Sequence, residues 1–345
     1  MRGLKMLILC AAMAALCACA GGPPPSETPD APEEDFVVIE DLALDLTEIR
    51  YLLITVIDDY ALFRDIEPHM ILWDGQIAGI PARRYFLDRA LEMAVAAYVT
   101  QIKAAELGYA LTEEEEDAID WEIAMEIDAR GGREALFDSP REEEVYRFYS
   151  YTVPALREKM LDDLFGHDGP YQLNGAALWQ YYRDNYISAA YIFLSGTDPY
   201  GEPLGADDLQ IQRSVADALR RAAAAAEDYE GFFELVREHD QSYYMMIYPT
   251  GMPVPHGMFG EAFDAALSAL ETGMVSDVVA ADDGFYIILR LPEDVEWFED
   301  NREYIWYYCA YEAFFDKIEE WGRELSIAVG EGFWNLDVLE VTAAG

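Results

Sequence analysis

The residues of this chain best able to do chemistry are four cysteines, four histidines and two runs of carboxylates. Leu16-Cys17-Ala18-Cys19 places an aliphatic residue and two small ones before a thiol. In that pattern the thiol accepts a diacylglyceryl group and the chain is cut just before it, which makes Cys19 the candidate lipid-attachment residue. Cys17 fits less well, because the bulky Leu16 would stand where the peptidase needs a small side chain. The flanking sequence agrees: Arg2 and Lys5 give a positive start, and Met6 to Leu16 form an apolar run of signal length. That run is shorter than the roughly 20 residues needed to span a bilayer. Residues 1–18 are therefore expected to be a signal peptide, and the mature chain to lie outside the cytoplasm, lipid-anchored to the cell membrane. A plain secretory signal cut at Ala18-Cys19-Ala20 is the alternative use of the same residues. Cys309 remains alone downstream, among Tyr304, Tyr308 and Tyr311, with no CxxC and no histidine near it in sequence. It reads as an inert buried thiol. The runs Glu113–Glu116 and Glu142–Glu144 resemble metal ligands only superficially, since a helix N-terminus favours acidic first turns. No metal and no cofactor is expected.

Charge narrows the partners. The chain carries 23 basic and 67 acidic residues, a net of −44, and loss of Arg2 and Lys5 with the signal takes it to −46. Nucleic acid is excluded, because its affinity comes from neutralising phosphates with Lys and Arg. Anionic headgroups repel the same surface, so the acyl chain alone is expected to hold the protein to a membrane. Basic segments of unfolded chains are the favoured macromolecular partners, although acidity also keeps an aromatic-rich protein in solution. Hydrophobic residues make up 52% and aromatics 13%, a composition that folds. Residues 19–36 differ: Gly, Pro and acidic residues predict an extended tether.

A long helical region is expected after the tether. Leu87, Leu91, Ala94, Tyr98, Ile102 and Ala105 keep a spacing of three and four between Pro81 and Gly108. Thr112 with Glu115 predicts a capping box, and Ile119, Ile123 and Ile127 form the stripe behind it. Further helices are expected near 141–149, 152–165 and 174–185. At Ile187 the pattern changes to a strand through Leu194, helices at 205–226 and 229–238, an irregular stretch at 243–260, a helix near 261–270 and strands near 276–280 and 285–291. Helix returns after Glu296, and Phe333 to Val341 reads as a last strand. The class is α+β: a mainly helical domain built from 37–186 and 293–345, with a small α+β domain at 187–292 inserted.

Several stretches resemble the extracytoplasmic SurA/PrsA-like foldases that carry a parvulin, or rotamase, domain. Ala104 to Glu115 is similar to the family's "A-x-x-x-G-x-x-[VL]-T-x-x-E" turn, and Trp179 to Tyr186 to its "YY-x-x-N" helix end. Within 187–292, Phe232-Phe233-Glu234-Leu235, Tyr248-Pro249-Thr250-Gly251, Phe263 to Ser276 and Asp283-Gly284-Phe285-Tyr286-Ile287-Ile288 resemble, in order, a helix, a glycine loop, a helix with its following turn, and a closing strand of the parvulin unit. The resemblance implies peptidyl-prolyl isomerisation and foldase activity on unfolded or nascent exported polypeptides and their X–Pro segments. It departs at the catalytic positions. Tyr191 and Tyr286 stand where the family has histidines, and Ser242 where it has Asp or Cys. His239 and His256 match neither. The proline pocket is retained by the same comparison, with Phe259 and Phe263 on its floor and Met252 and Val254 on its loop wall, although Phe263 is equally suited to plain core.

The chemistry sets what such a site must do. Amide resonance gives X–Pro isomerisation a barrier of roughly 20 kcal/mol, and no nucleophile is obligatory. An apolar seat for the ring and groups that favour the twisted amide suffice, at about tenfold in rate per 1.4 kcal/mol of selective binding. Two tyrosines and a serine can form a hydrogen-bonded set, but one without the imidazole charge that titrates near neutrality. The residues thus leave two functions open: a weakened isomerase, or a non-catalytic chaperone or scaffold that only binds chains.

Overall fold

Capping decides where the long helices begin. Asp45 accepts a hydrogen bond from the Glu48 amide, and Glu48 from that of Asp45, at the start of helix Leu46–Phe63. Thr112 and Glu115 close the same reciprocal pair at the head of Glu113–Ala129. Helix Ala82–Leu107 stops where expected: Gly108 takes φ 82°, a left-handed conformation that costs little without a Cβ. The computed structural model describes residues 36–343. Cys19, the signal and most of the tether lie outside them.

Two compact units form. One contains the described residues up to Gln172 and those from Ala310 onward; the other is Leu173–Cys309. The fold is α+β and mainly helical. Among the described residues no helix is long and apolar enough to cross a membrane.

The first unit buries Leu52, Leu53, Phe86, Leu87, Ala94 and Phe333 in one core. Its terminal segments differ from the sequence expectation. Residues just after the tether form two short strands, Val37–Ile39 and Leu42–Leu44, and Ile327–Val329 pairs antiparallel on the other edge of the first. Residues 333–341 are not a strand. They fold as the ends of helices Glu331–Trp334 and Val338–Ala343, because Asp337 accepts from the Leu339 and Glu340 amides and turns the chain. Between helices Pro140–Arg147 and Val153–Phe165 the backbone widens into a π turn over Phe148–Thr152, where the Val153 amide reaches back to the Phe148 carbonyl. Pro154 has no N–H to return to the carbonyl four residues before it, which favours the wider turn. The turn carries Tyr149 onto Tyr51, ring centroids 5.5 Å apart. It also brings Tyr149 to the buried Glu48, which accepts from the Tyr98 hydroxyl at 2.6 Å and pairs with Arg141 at 3.0 Å.

Asp59 on helix Leu46–Phe63 has a buried Oδ2 with no hydrogen-bond partner among the described residues. Burial, with the Asp58 carboxylate adding to it, pushes its carboxyl up to about 6 from the usual 3.8. Folded protein therefore holds a proton that unfolded protein releases, and stability falls as pH rises from about 4 to about 6. Asp59→Asn should be more stable than the parent by about 1–2 kcal/mol at pH 7.5, after allowance for solvent screening, and indistinguishable at pH 3.5. Urea midpoints at the two pH values check this; equal gains at both would assign the effect to something other than the charge.

The second unit is a four-stranded antiparallel sheet flanked by helices. Strand Tyr186–Ser195 is central. It pairs with Met252–Pro255 on one side and Gly284–Arg290 on the other, and Val279–Ala281 closes the far edge. Gly284 follows the tight Asp282-Asp283 turn at φ 153°, and a Cβ there would lie 2.2 Å from the Leu194 carbonyl oxygen. Only glycine lets the strands approach so closely. The 243–260 stretch contains more order than its composition suggests, a short helix Tyr243–Ile247 and the edge strand Met252–Pro255. This unit is wider than 187–292. Helices Gly175–Asn185 and Val295–Asp300, with the start of Arg302–Gly322, bury Leu178, Tyr182, Phe298, Ile305 and Cys309 together.

Candidate functional site

Strand register builds the site. Tyr191 opposes Ile288 and Phe193 opposes Tyr286, which puts Tyr191 and Tyr286 diagonally on one face of the sheet with rings 5.6 Å apart. Helix Glu261–Ala269 lowers Phe263 onto both, at 5.5 Å from Tyr191 and 5.1 Å from Tyr286. Phe259 lies against Tyr191 at 4.9 Å and Phe263 at 4.8 Å. Most of these contacts are edge-on, the arrangement aromatic quadrupoles prefer. Tyr244, from the short helix, meets the outer side of Phe259 at 5.6 Å.

The set grades from closed to open. Tyr191, Phe263, Tyr286 and Val254 are buried, while Phe259, Met252 and Ser242 are half-buried. Phe263 therefore packs as core in this conformation, and Phe259 with Met252 offers the accessible apolar surface.

Polar contacts divide the three candidate catalytic positions. Tyr286 donates to Asp283 at 2.6 Å. Ser242 donates to Asp240 at 2.8 Å and accepts from the Met245 amide, capping the short helix. The Tyr191 hydroxyl, wholly enclosed, makes no hydrogen bond of acceptable geometry among the described residues, although Ser242 is near enough to act on it. The three are neighbours without being one hydrogen-bonded chain. Burial raises both tyrosine hydroxyls above their usual range; for Tyr286 the bond to Asp283 adds to it. Both stay neutral at physiological pH.

Two carboxylates enter that the motifs do not place there. Asp240 accepts from the Phe193 amide at 2.8 Å and from the amide and hydroxyl of Ser242. Burial raises its carboxyl, and those hydrogen bonds work against the shift. An acidic group therefore does stand in this corner, two residues before the position the motif assigns. The signal available for it is its place directly after the helix Tyr229–His239. Asp283, at the hairpin tip, is the second. His256 is exposed and His239 approaches Glu238, outside the aromatic set.

Elsewhere the acidic runs are spent on structure. Glu115 caps its helix and pairs with Lys159, Glu116 pairs with Arg147, and Glu142 pairs with Arg50. Among the described residues no group of three or more His, Cys, Asp or Glu could hold a metal ion. The arrangement can therefore seat an apolar ring or chain against aromatic faces, with one uncommitted hydroxyl beneath them.

No family model matches the chain, and no curated protein does. Solved structures similar to it include the peptidyl-prolyl isomerase PrsA from Bacillus cereus, 15% identical, over 70% of this chain and 82% of that one, at a TM-score of 0.32. A SurA-like chaperone structure from Campylobacter jejuni is 16% identical over 72% of this chain and 95% of its own, at 0.25. The parvulin NmPin of Nitrosopumilus maritimus is 20% identical, over 31% of this chain and 97% of its own, at 0.24.

Proposed function

We propose that this protein is a foldase-type chaperone, held outside the cytoplasm by a lipid on Cys19, with residues 187–292 inserted as its parvulin-like polypeptide-binding module. Its clients are unfolded or nascent exported polypeptides, including X–Pro segments. The observation that carries the reading is the aromatic set Tyr191, Phe259, Phe263 and Tyr286 on one sheet face, where the motifs put a proline site. Isomerisation is weak, because neither tyrosine changes charge near neutrality and the Tyr191 hydroxyl is closed off from a substrate. That enclosure also favours the second reading, a binder with no catalysis.

Exchange measured by NMR on a short X–Pro peptide separates the two. We expect a rate near the uncatalysed one, with measurable binding. The environment of Ser242 also dictates how catalysis would be restored. An aspartate at 242 would meet Asp240 at hydrogen-bonding distance and repel it, so Ser242 should be left alone. Tyr191→His with Tyr286→His, keeping Asp240, should raise the exchange rate about tenfold or more with little change in affinity. A parent protein as fast as this double variant would show that hydroxyls suffice. No detectable binding of any unfolded chain would end the foldase reading.

A further inference from the structure

Residues 242–260 contain no Asp, Glu, Lys or Arg, in a chain where 26% of residues are charged. The stretch nevertheless reaches solvent: Tyr243, Tyr244, Met246, Ile247 and Tyr248 are exposed, Met246 at 71%. An acidic protein that leaves such a run bare and apolar has a surface suited to contact. Three carboxylates are fastened to this face. Asp240 is bonded to Ser242, Asp264 accepts from the Gly257 amide at 2.6 Å, and Asp283 accepts from Tyr286. Among the described residues none of the three is ion-paired with Lys or Arg, whereas Arg213, Arg220 and Arg237 are paired with Asp217, Asp277 and Glu230. Beneath Phe259 the enclosed Tyr191 hydroxyl makes no hydrogen bond of acceptable geometry among the described residues, with Ser242 nearby.

We propose that this face selects extended polypeptide segments in which a proline or bulky apolar residue is flanked by Lys or Arg, and rejects the same segments flanked by Glu. The apolar residue lies on Phe259 and the tyrosines of 243–248. The flanking cations supply the countercharges that Asp240, Asp264 and Asp283 lack. Charge complementarity of this kind acts on selectivity more than on total affinity. The inference deepens the foldase reading and rests on it.

Binding of three labelled peptides tests it, each with one Ala-Ala-Pro-Phe core flanked by two Lys, two Ser or two Glu. At 10 mM ionic strength the Lys peptide should bind about tenfold or more tighter than the Glu peptide. At 1 M, where screening acts within roughly 3 Å, the ratio should fall to about twofold. Asp264→Asn with Asp283→Asn keeps both acceptors and should remove most of the selectivity. Glu106→Gln with Glu113→Gln, which deletes as much charge in the other unit, should leave it intact. Equal binding of Lys and Glu peptides overturns the proposal while the foldase reading stands. Equal loss of selectivity in the two variant pairs also overturns it, by assigning the effect to the overall charge of −44. Failure of all three peptides to bind at either salt concentration removes the foldase reading and the proposal together. If a variant misfolds, equal binding of the Lys and Glu peptides to the parent protein still overturns the proposal.

Discussion

Phe263→Ala is expected to cost about 3–5 kcal/mol and to unfold the sheet unit first. Phe263 is fully buried and touches Tyr191, Phe259 and Tyr286 at 4.8–5.5 Å between ring centroids. Its loss removes the transfer energy of a large side chain and leaves a void that the pleated strands cannot readily collapse to fill. The aromatic contacts add about 0.5–1.5 kcal/mol each beyond area. Phe263→Leu should recover much of the loss, because most of the volume is kept and chiefly the ring contacts go. Amide exchange gives the spatial readout. Protection at Ile192 and Ile288 should fall by orders of magnitude in Phe263→Ala, while amides of helix Ala82–Leu107 keep theirs. A cost below about 1 kcal/mol would mean that the ring lines an open pocket in solution, and the site would be more accessible than its packing indicates.

The second large effect is expected at Glu48. This carboxylate is 2% exposed, caps its own helix through Asp45, receives the Tyr98 hydroxyl at 2.6 Å and pairs with Arg141. Glu48→Ala removes all three at once and strands the Tyr98 hydroxyl among apolar neighbours. We expect about 3 kcal/mol of lost stability, set mainly by the unsatisfied groups left behind. Glu48→Gln still accepts from Tyr98 and should lose about 1 kcal/mol. Combining Glu48→Ala with Tyr98→Phe in a double-mutant cycle isolates the shared bond, expected to couple by about 1 kcal/mol. If Glu48→Ala cost no more than the same change at exposed Glu106, the buried network would contribute nothing measurable.

Much of the architecture is readable in the sequence because its signals are local. Gly108 and the Thr112–Glu115 pair mark helix ends that depend only on residues three or four apart. The strand from Tyr186 is equally plain from its β-branched and aromatic run. What the sequence hides is set by distant partners. Val37–Ile39 is a strand because Ile327–Val329 lies beside it, a pairing nearly the full chain apart, and three residues carry too little pattern to announce it. Phe333 to Val341 has strand-like side chains, but Phe333 and Val338 are apolar because the helical core takes them. The candidate site's aromatics stand at motif positions and meet on one sheet face. Its charges are not legible in the sequence, because the motif puts the acid at 242 and the turn after Tyr229–His239 brings in Asp240 instead.

The edge strand Met252–Pro255 also shapes how a client could be held. The His256 amide points inward, donating to the Asn185 carbonyl. By alternation the nitrogens of 252 and 254 also face the neighbouring strand, and those of Pro253 and Pro255 face out. The outer rim of this edge therefore offers the Pro253 carbonyl and no donors, the Pro255 carbonyl being taken by the Met258 amide, so an incoming chain cannot zip onto it as a fifth strand. On the foldase reading proposed above, a protein that held unfolded polypeptides on bare tyrosines and methionines would sit close to aggregation, since whatever it held could template a growing sheet. Two imino acids deny that template. On that reading a chain held at this edge would stay attached by its side chains alone, in a grip it can leave.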